Sequence, residues 1–203
     1  MKSGANTRFE LAFWQCGQLV AGVDEVGRGA VAGPVVAAAV VFDSNAVPEG
    51  LDDSKILSEK RRRELDTQIR RVALAVSVAA VEAADVDRMN ILNATFVAMH
   101  RAIDTLPLQP DHLLVDGNRF QLHSIPSTCI VRGDATSVSI AAASIIAKTY
   151  RDALMRHTYH QTFPMYGFDR HVGYGTRHHL AMVQQHGLCE LHRRSFLRRL
   201  LDT

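Results

Sequence analysis

The apolar positions of this chain alternate between strand-like runs and helical spacing. Leu19–Val26 is a nearly continuous apolar run that meets adjacent carboxylates, Asp24 and Glu25, and predicts a buried strand. Val35–Phe42 predicts a second strand, reached through Gly27-Arg28-Gly29 and the Gly33-Pro34 turn. So short a link suits antiparallel pairing, because a parallel crossover needs about a dozen residues or more. Ser58 stands as an N-cap, with Glu59 in the first turn and Leu65, Ile69 and Val72 at helical spacing. Valine-rich Val72–Val81 predicts a third strand. Ala83–Leu106 carries helical periodicity through Ile91, Phe96, Met99 and Ile103, with a break near Asn90. Pro107 and Pro110 punctuate the return to a short strand, His112–Asp116, closed by Gly117-Asn118, and Ser127–Val131 predicts a fifth, stopped by Gly133. Ser137–Ala147 is apolar almost all round, which predicts a buried helix continuing to about His157. Thr176–His186 predicts a shorter helix. An antiparallel pair followed by strands alternating with helices is a mixed α/β sheet.

Composition narrows the class. At 203 residues and 47% hydrophobic content, a single domain with a proper core is expected. The longest apolar stretch, Val31–Phe42, falls short of the roughly 18 to 20 residues of a membrane span. Met1–Gln18 has no signal-peptide core. Cys16, Cys129 and Cys189 are isolated and odd in number, against a disulfide framework or zinc knuckle. The expectation is a soluble cytoplasmic protein with no membrane partner. The net charge of +2 singles out no ligand, but its distribution is uneven. From Arg151 onward lie Arg151, Arg156, Arg170, Arg177, Arg193, Arg194, Arg198 and Arg199, with His157, His160, His171, His178, His179, His186 and His192. Only Asp152, Asp169, Glu190 and Asp202 oppose them. That balance predicts a cationic surface suited to a phosphate backbone, beside the plainer reading of a solvated helical face.

Four acids sit at the ends of apolar elements: Asp24, Glu25, Asp116 and Asp134. Singly, each reads as a turn or cap residue: Asp116-Gly117 is a turn signal and Asp134 suits a helix start. Together they say more. Asp24 and Asp116 both end buried strands, the edge where α/β sheets build sites. Clustered carboxylates repel one another and call for a cation, and oxygen-only donors point to magnesium or manganese rather than zinc. Neighbours on a regular strand face opposite ways, so Asp24 and Glu25 share a site only where the strand twists or ends. Glycines 27 and 29 let backbone N–H groups approach an anionic polymer. A metal site beside such a loop is what metal-assisted phosphodiester chemistry requires. Ser144 and Cys129 have no predicted partner base and read as structural. His171, His178 and His179 read as surface or phosphate-neighbouring residues, Lys148 and Asp152 as a helical ion pair. Tyr174, among glycines, reads by itself as a packed surface residue.

Several of these segments, in order, resemble the ribonuclease HII family, a type 2 ribonuclease H. Gly22–Gly29 resembles its opening carboxylate and Gly-Arg-Gly motif, and Asp53-Ser54-Lys55-Ile56-Leu57 its Asp-Ser-Lys loop. Leu114–Asn118 resembles the third carboxylate, Arg132-Gly133-Asp134 the fourth, and Ser139–Lys148 the signature helix. Phe163–Phe168, His171–Thr176 and His192–Phe196 continue the match, which runs from about Ala21 to Phe196. Arg132 stands where lysine is frequent, and Leu197-Arg198-Arg199 replaces the usual ending. The short segment before the first strand favours type 2 over type 3 enzymes.

The resemblance implies a ribonuclease H-like mixed five-stranded sheet flanked by helices, with a small helical C-terminal extension. It implies a single catalytic domain over 1–203, with a core at about 19–158 and a substrate-contacting helical region at about 159–203. The activity implied is hydrolysis of the RNA strand of RNA–DNA hybrids and nicking 5′ to ribonucleotides embedded in duplex DNA, leaving 5′-phosphomonoesters. That chemistry serves ribonucleotide excision repair and DNA replication. Asp24, Glu25, Asp116 and Asp134 would hold Mn2+ or Mg2+, two per site with substrate bound. Gly27, Arg28 and Gly29 would contact the ribose 2′-OH, Tyr174 would pack on the deoxyribose past the junction, and Lys55 would contact phosphate. A monomer is implied. A DNA-directed nuclease or recombinase of the same architecture, and a non-catalytic hybrid binder, are the competing readings.

Overall fold

Five strands build one sheet in the order β3-β2-β1-β4-β5. They are β1 (Val20–Val26), β2 (Val35–Val41), β3 (Ala75–Val81), β4 (His112–Asp116) and β5 (Ser127–Ile130). The computed structural model describes residues 4–198; Arg199, Asp202 and the first three residues of the Met1–Gln18 segment lie outside them. The helices are α1 (Leu11–Trp14), α2 (Glu59–Val72), α3 (Ala83–Met89), α4 (Ile91–Asp104), α5 (Val138–Ala153), α6 (His160–Thr162), α7 (Phe168–His171) and α8 (Arg177–His186). None among the described residues is long and apolar enough to cross a membrane.

β1 lies at the centre, antiparallel to β2 and parallel to β4. Covered on both faces, β1 and β2 read as unbroken apolar runs rather than alternating ones. Ala21, Val23, Val35 and Ala37 pack under α4 against Met99 and Ile103. Val36, Ala38 and Val40 pack on the opposite side against α2 and α5, through Leu65, Ile69 and Ile145. α5 crosses β1 so closely that a Cβ at Gly22 would lie 2.0 Å from the carbonyl carbon of Ser139.

The predicted elements recur with shifted limits. Val72 closes α2, where the Ala73 N–H donates to Ile69 at 2.8 Å, so β3 starts at Ala75. β5 stops at Ile130. The break at Asn90 is real: at φ 68° it leaves helical geometry, and its side chain accepts the Asn93 N–H at 3.1 Å to open α4. The α5 element outlasts its expected end at His157, widening into a π-helical turn over Leu154–Tyr159 and running through α6 to Thr162.

Two elements were not foreseen. α7 forms part of a small C-terminal cluster in which Ala32 meets Met155, Tyr166, Phe168 and Val183. α1 follows Glu10, a fully buried carboxylate that accepts the Ser139 N–H at 3.0 Å and the Ser137 hydroxyl. A negative charge there complements the N-terminal end of α5. The segment ahead of β1 is therefore anchored to the central helix.

Candidate active site

The parallel pairing of β1 and β4 runs in register to Val23 opposite Val115. The next residue on each strand is Asp24 and Asp116, so two carboxylates meet at one edge. Asp116 Oδ1 accepts the Gly133 N–H at 2.7 Å and the Asp134 N–H at 3.4 Å, which ties the turn carrying Asp134 to β4. Asp24 is only 3% exposed, and its Oδ1 accepts the Glu25 N–H at 2.7 Å. Strand alternation turns Glu25 the other way. Half-buried, it pairs with Arg28 at 3.2 Å beside a cavity of about 380 Å³ that also borders Asp116, Phe96 and Met99.

This edge is short of positive charge. Burial, followed by the charges of Glu25 and Asp116, holds the Asp24 carboxyl well above the usual range. Burial also raises Glu25, with Asp116 adding to it and Arg28 opposing. Burial and Asp134 raise Asp116 against its backbone donors. Lys55 supplies one counter-charge, reaching Asp134 at 3.0 Å and Asp53 at 3.5 Å. Burial draws its pKa down, but Asp134, Asp53 and Asp24 outweigh that and leave it raised.

Among the described residues, no three His, Cys, Asp or Glu side chains already converge as a ready-made metal cage. The donor set nonetheless fits a hard divalent cation. All its donors are oxygens and its buried anions raise one another's pKa, while the cations at hand, Arg28 and Lys55, pair with Glu25 and Asp134 and leave Asp24 and Asp116 without an ion-pair partner among the described residues.

The Gly27–Gly29 loop leaves β1 next to these acids. Gly27 has φ 91°, and a Cβ there would lie 2.3 Å from Arg151 Nε, so only glycine fits. The following residues are stitched to the C-terminal cluster. Val31 and Ala32 donate to the Gly173 carbonyl at 3.0 and 3.1 Å, and Gly33 donates to Leu191 at 2.8 Å. Half-buried Tyr174 therefore sits beside the glycine loop, its ring 5.6 Å from the Arg151 guanidinium and 5.8 Å from Lys148 Nζ. Lys148 pairs with Asp152 at 2.8 Å, as the helical spacing predicted.

Ser54 and Arg62 take supporting roles that sequence reading did not assign. The Ser54 and Ser144 hydroxyls are 2.9 Å apart, joining the Asp-Ser-Lys loop to α5 beside Asp24. Arg62 donates to the Ser54 carbonyl at 2.9 Å and to Leu57, fixing the same loop from α2. Ser144 thus has the structural role that its lack of a partner base predicts.

The cationic C-terminal face is smaller than the residue count predicts. Arg151 and Arg193 are fully buried, and Arg156 pairs with Glu59. The histidine reading also needs correction: His171 and His179 are buried, only His178 is exposed, and His192 is buried too. Their hydrogen bonds define the protonation. The Cys189 N–H reaches His192 Nδ1 at 3.0 Å, which leaves the His192 proton on Nε2, 3.1 Å from His179 Nε2. His179 must then carry its proton on Nδ1, where it meets the Tyr174 carbonyl at 2.9 Å. Both rings are neutral.

Burial holds His179 and His192 down to about 4, against 6.5 in the unfolded chain. The unfolded state therefore binds more protons between these values, so this contribution is complete above 6.5 and is lost as pH falls toward 4. Its size is on the order of a few kcal/mol. The raised carboxylates act in the opposite sense, so the readout must be local. Amide protection factors, which divide out the intrinsic slowing of exchange in acid, are expected to fall across 166–193 between pH 7 and 5, while those of the β1–β2 amides change much less; a uniform change would contradict it.

A mixed sheet with carboxylates at the edge of its central parallel pair, beside an exposed glycine-rich loop, defines a ribonuclease H-like phosphodiester hydrolase. The chain belongs to the ribonuclease HII family: residues 21–199 match the model described as Ribonuclease HII. Ribonuclease HII of Burkholderia mallei (strain SAVP1) is 52% identical over 194 residues, covering 96% of this chain and 90% of the relative. The crystal structure of the ribonuclease H2 from Pyrococcus horikoshii OT3 superposes with TM-score 0.75 at 25% identity, covering 91% of this chain and 97% of that one. The ribonuclease HII of a PCNA complex from Archaeoglobus fulgidus gives 0.74 at 26% identity, covering 86% and 93%. The chain is accordingly a metal-dependent endoribonuclease of the ribonuclease H class.

Proposed function

We propose that this enzyme hydrolyses the RNA strand of RNA–DNA hybrids and nicks 5′ to ribonucleotides embedded in duplex DNA, acting as a monomeric catalytic domain. The observation carrying this reading is the meeting, at one sheet edge, of Asp24, Asp116 and Asp134 with the exposed Arg28-Gly29 backbone. Asp24, Glu25, Asp116 and Asp134 would hold two divalent cations, Mn2+ or Mg2+, whose chemistry is to activate water and stabilise the leaving 3′ oxygen. Asp116 keeps its orientation through the Gly133 N–H, and Asp24 through its own following amide. Lys55, with its side chain 72% exposed, is free to swing from Asp134 to a substrate phosphate. The Gly27–Gly29 backbone senses the 2′-OH, the group by which proteins tell RNA from DNA, and Tyr174 lies against the neighbouring sugar.

End-mapping on a duplex with one ribonucleotide tests this reading. The expected product is a single nick 5′ to the ribonucleotide with a 5′-phosphate downstream, dependent on Mn2+ or Mg2+. Equal cutting of an all-DNA duplex would favour a DNA-directed nuclease instead, and salt-sensitive binding without any product a mere binder.

A further inference from the structure

Two arginines lie fully buried beneath the glycine loop, and their hydrogen bonds go to main-chain carbonyls. Arg151 donates through Nε to Pro34 at 2.9 Å, through Nη2 to Ala32 at 3.0 Å and through Nη1 to Val172 at 2.8 Å. Arg193 donates through Nε to Gly33 at 2.9 Å and through Nη1 to Arg28 at 3.1 Å. Among the described residues neither forms an ion pair, and Arg193 Nη2 has no acceptor. Burying a guanidinium without a carboxylate is costly, so its geometry calls for a reason.

The Arg28 carbonyl supplies one. It belongs to the same planar unit as the Gly29 N–H, and that peptide bond is trans. In a trans unit the C=O and N–H point in opposite directions. Arg193 holds the carbonyl toward the interior, which turns the Gly29 N–H outward. Gly29 is exposed, a Cβ there would meet nothing within 4 Å, and its N–H has no partner among the described residues.

We infer that Arg193 is a positioning residue for sugar selectivity: by fixing the Arg28–Gly29 peptide plane, it aims the Gly29 amide at the ribose 2′-OH. The inference rests on the reading that this loop senses that hydroxyl. Burial and the nearby Arg151 press the Arg193 pKa down to about 9, still above neutrality, so the guanidinium stays charged. Lysine cannot reproduce its role. A single ammonium lacks the fork that reaches Gly33 and Arg28 together. Arg151 plays the companion part, bracing the loop's far end against the strand of backbone leading to Tyr174.

The test uses the full chain carrying Asp116→Asn to stop turnover, with and without Arg193→Lys. Affinity is measured for a duplex with one ribonucleotide and for the all-DNA duplex. The parent is expected to prefer the ribonucleotide about tenfold, the worth of one well-made hydrogen bond. With Arg193→Lys that preference should fall to near one while all-DNA affinity is unchanged. A parent without preference removes the reading beneath the inference, and the inference with it. A preference retained in Arg193→Lys overturns the inference alone, as does a proportional loss of both affinities with a lowered Tm. Should Arg193→Lys fail to fold, amide exchange at Gly29 in the Asp116→Asn parent decides. Protection by the ribonucleotide duplex and not by all-DNA supports the aiming, and equal exchange with both overturns it.

Discussion

Asp24→Asn and Asp116→Asn should each abolish cleavage, lowering kcat by at least about a thousand-fold, the scale of removing one preorganised charge contact from a transition state, while hybrid binding persists. The exchange keeps side-chain shape and removes a charge from an edge where the carboxylates already raise one another's pKa. It therefore has a second expected consequence. Without divalent ions, Asp24→Asn should melt at or above the temperature of the parent, because a buried carboxylate pushed toward neutrality is replaced by a neutral group. Function and stability move in opposite directions, as at other sites that hold like charges for a ligand. Rate measurements with Mg2+ and Mn2+, paired with thermal melts in chelator, check both halves. Full activity in either variant would refute the assignment of these acids.

Gly22→Ala should be the most damaging single methyl in the protein. Its Cβ would fall 2.0 Å from the Ser139 carbonyl carbon and 2.3 Å from the Ile140 nitrogen, both main-chain atoms of the α5 region that cannot rotate aside. Overpacking costs about 1 to 3 kcal/mol when side chains can yield, and here the helix itself must move. A loss near the upper end, about 3 kcal/mol, corresponds to a Tm drop of roughly 6 to 12 °C for a chain of this size. Activity should fall as well, since Asp24 lies two residues along the same strand. A melt within 2 °C or so of the parent would mean that α5 packs less tightly on β1 than the structure shows.

Much of this was legible in the chain because it depends on local periodicity. The apolar run through Val23 ends at Asp24, and that through Val115 ends at Asp116; any parallel pairing of two such strands brings the acids to one edge. Ser58 and Thr176 marked helix starts and Asn90 a break, all of which the structure keeps; each accepts a backbone N–H of the helix that follows it. Asp24 and Glu25 alternate along β1 as strand geometry requires, yet both lie near the strand's end and within electrostatic reach of Asp116.

The buried polar residues were not legible. Glu10, Arg151, Arg193, His179 and His192 belong to types usually found at the surface; Glu10, Arg151 and Arg193 are buried through partners far away in sequence, and the two histidines through each other and neighbouring backbone. Counting charges therefore overstated the cationic C-terminal face. No local pattern reports a guanidinium held by carbonyls about 160 residues upstream. The sequence by itself determined the strands, the helix starts and the residues that end at the carboxylate edge, because those follow from side-chain period and turn chemistry. Only the tertiary structure decided which polar groups lie inside and which way the Arg28–Gly29 peptide turns, because both depend on hydrogen-bond partners that meet only when distant segments pack.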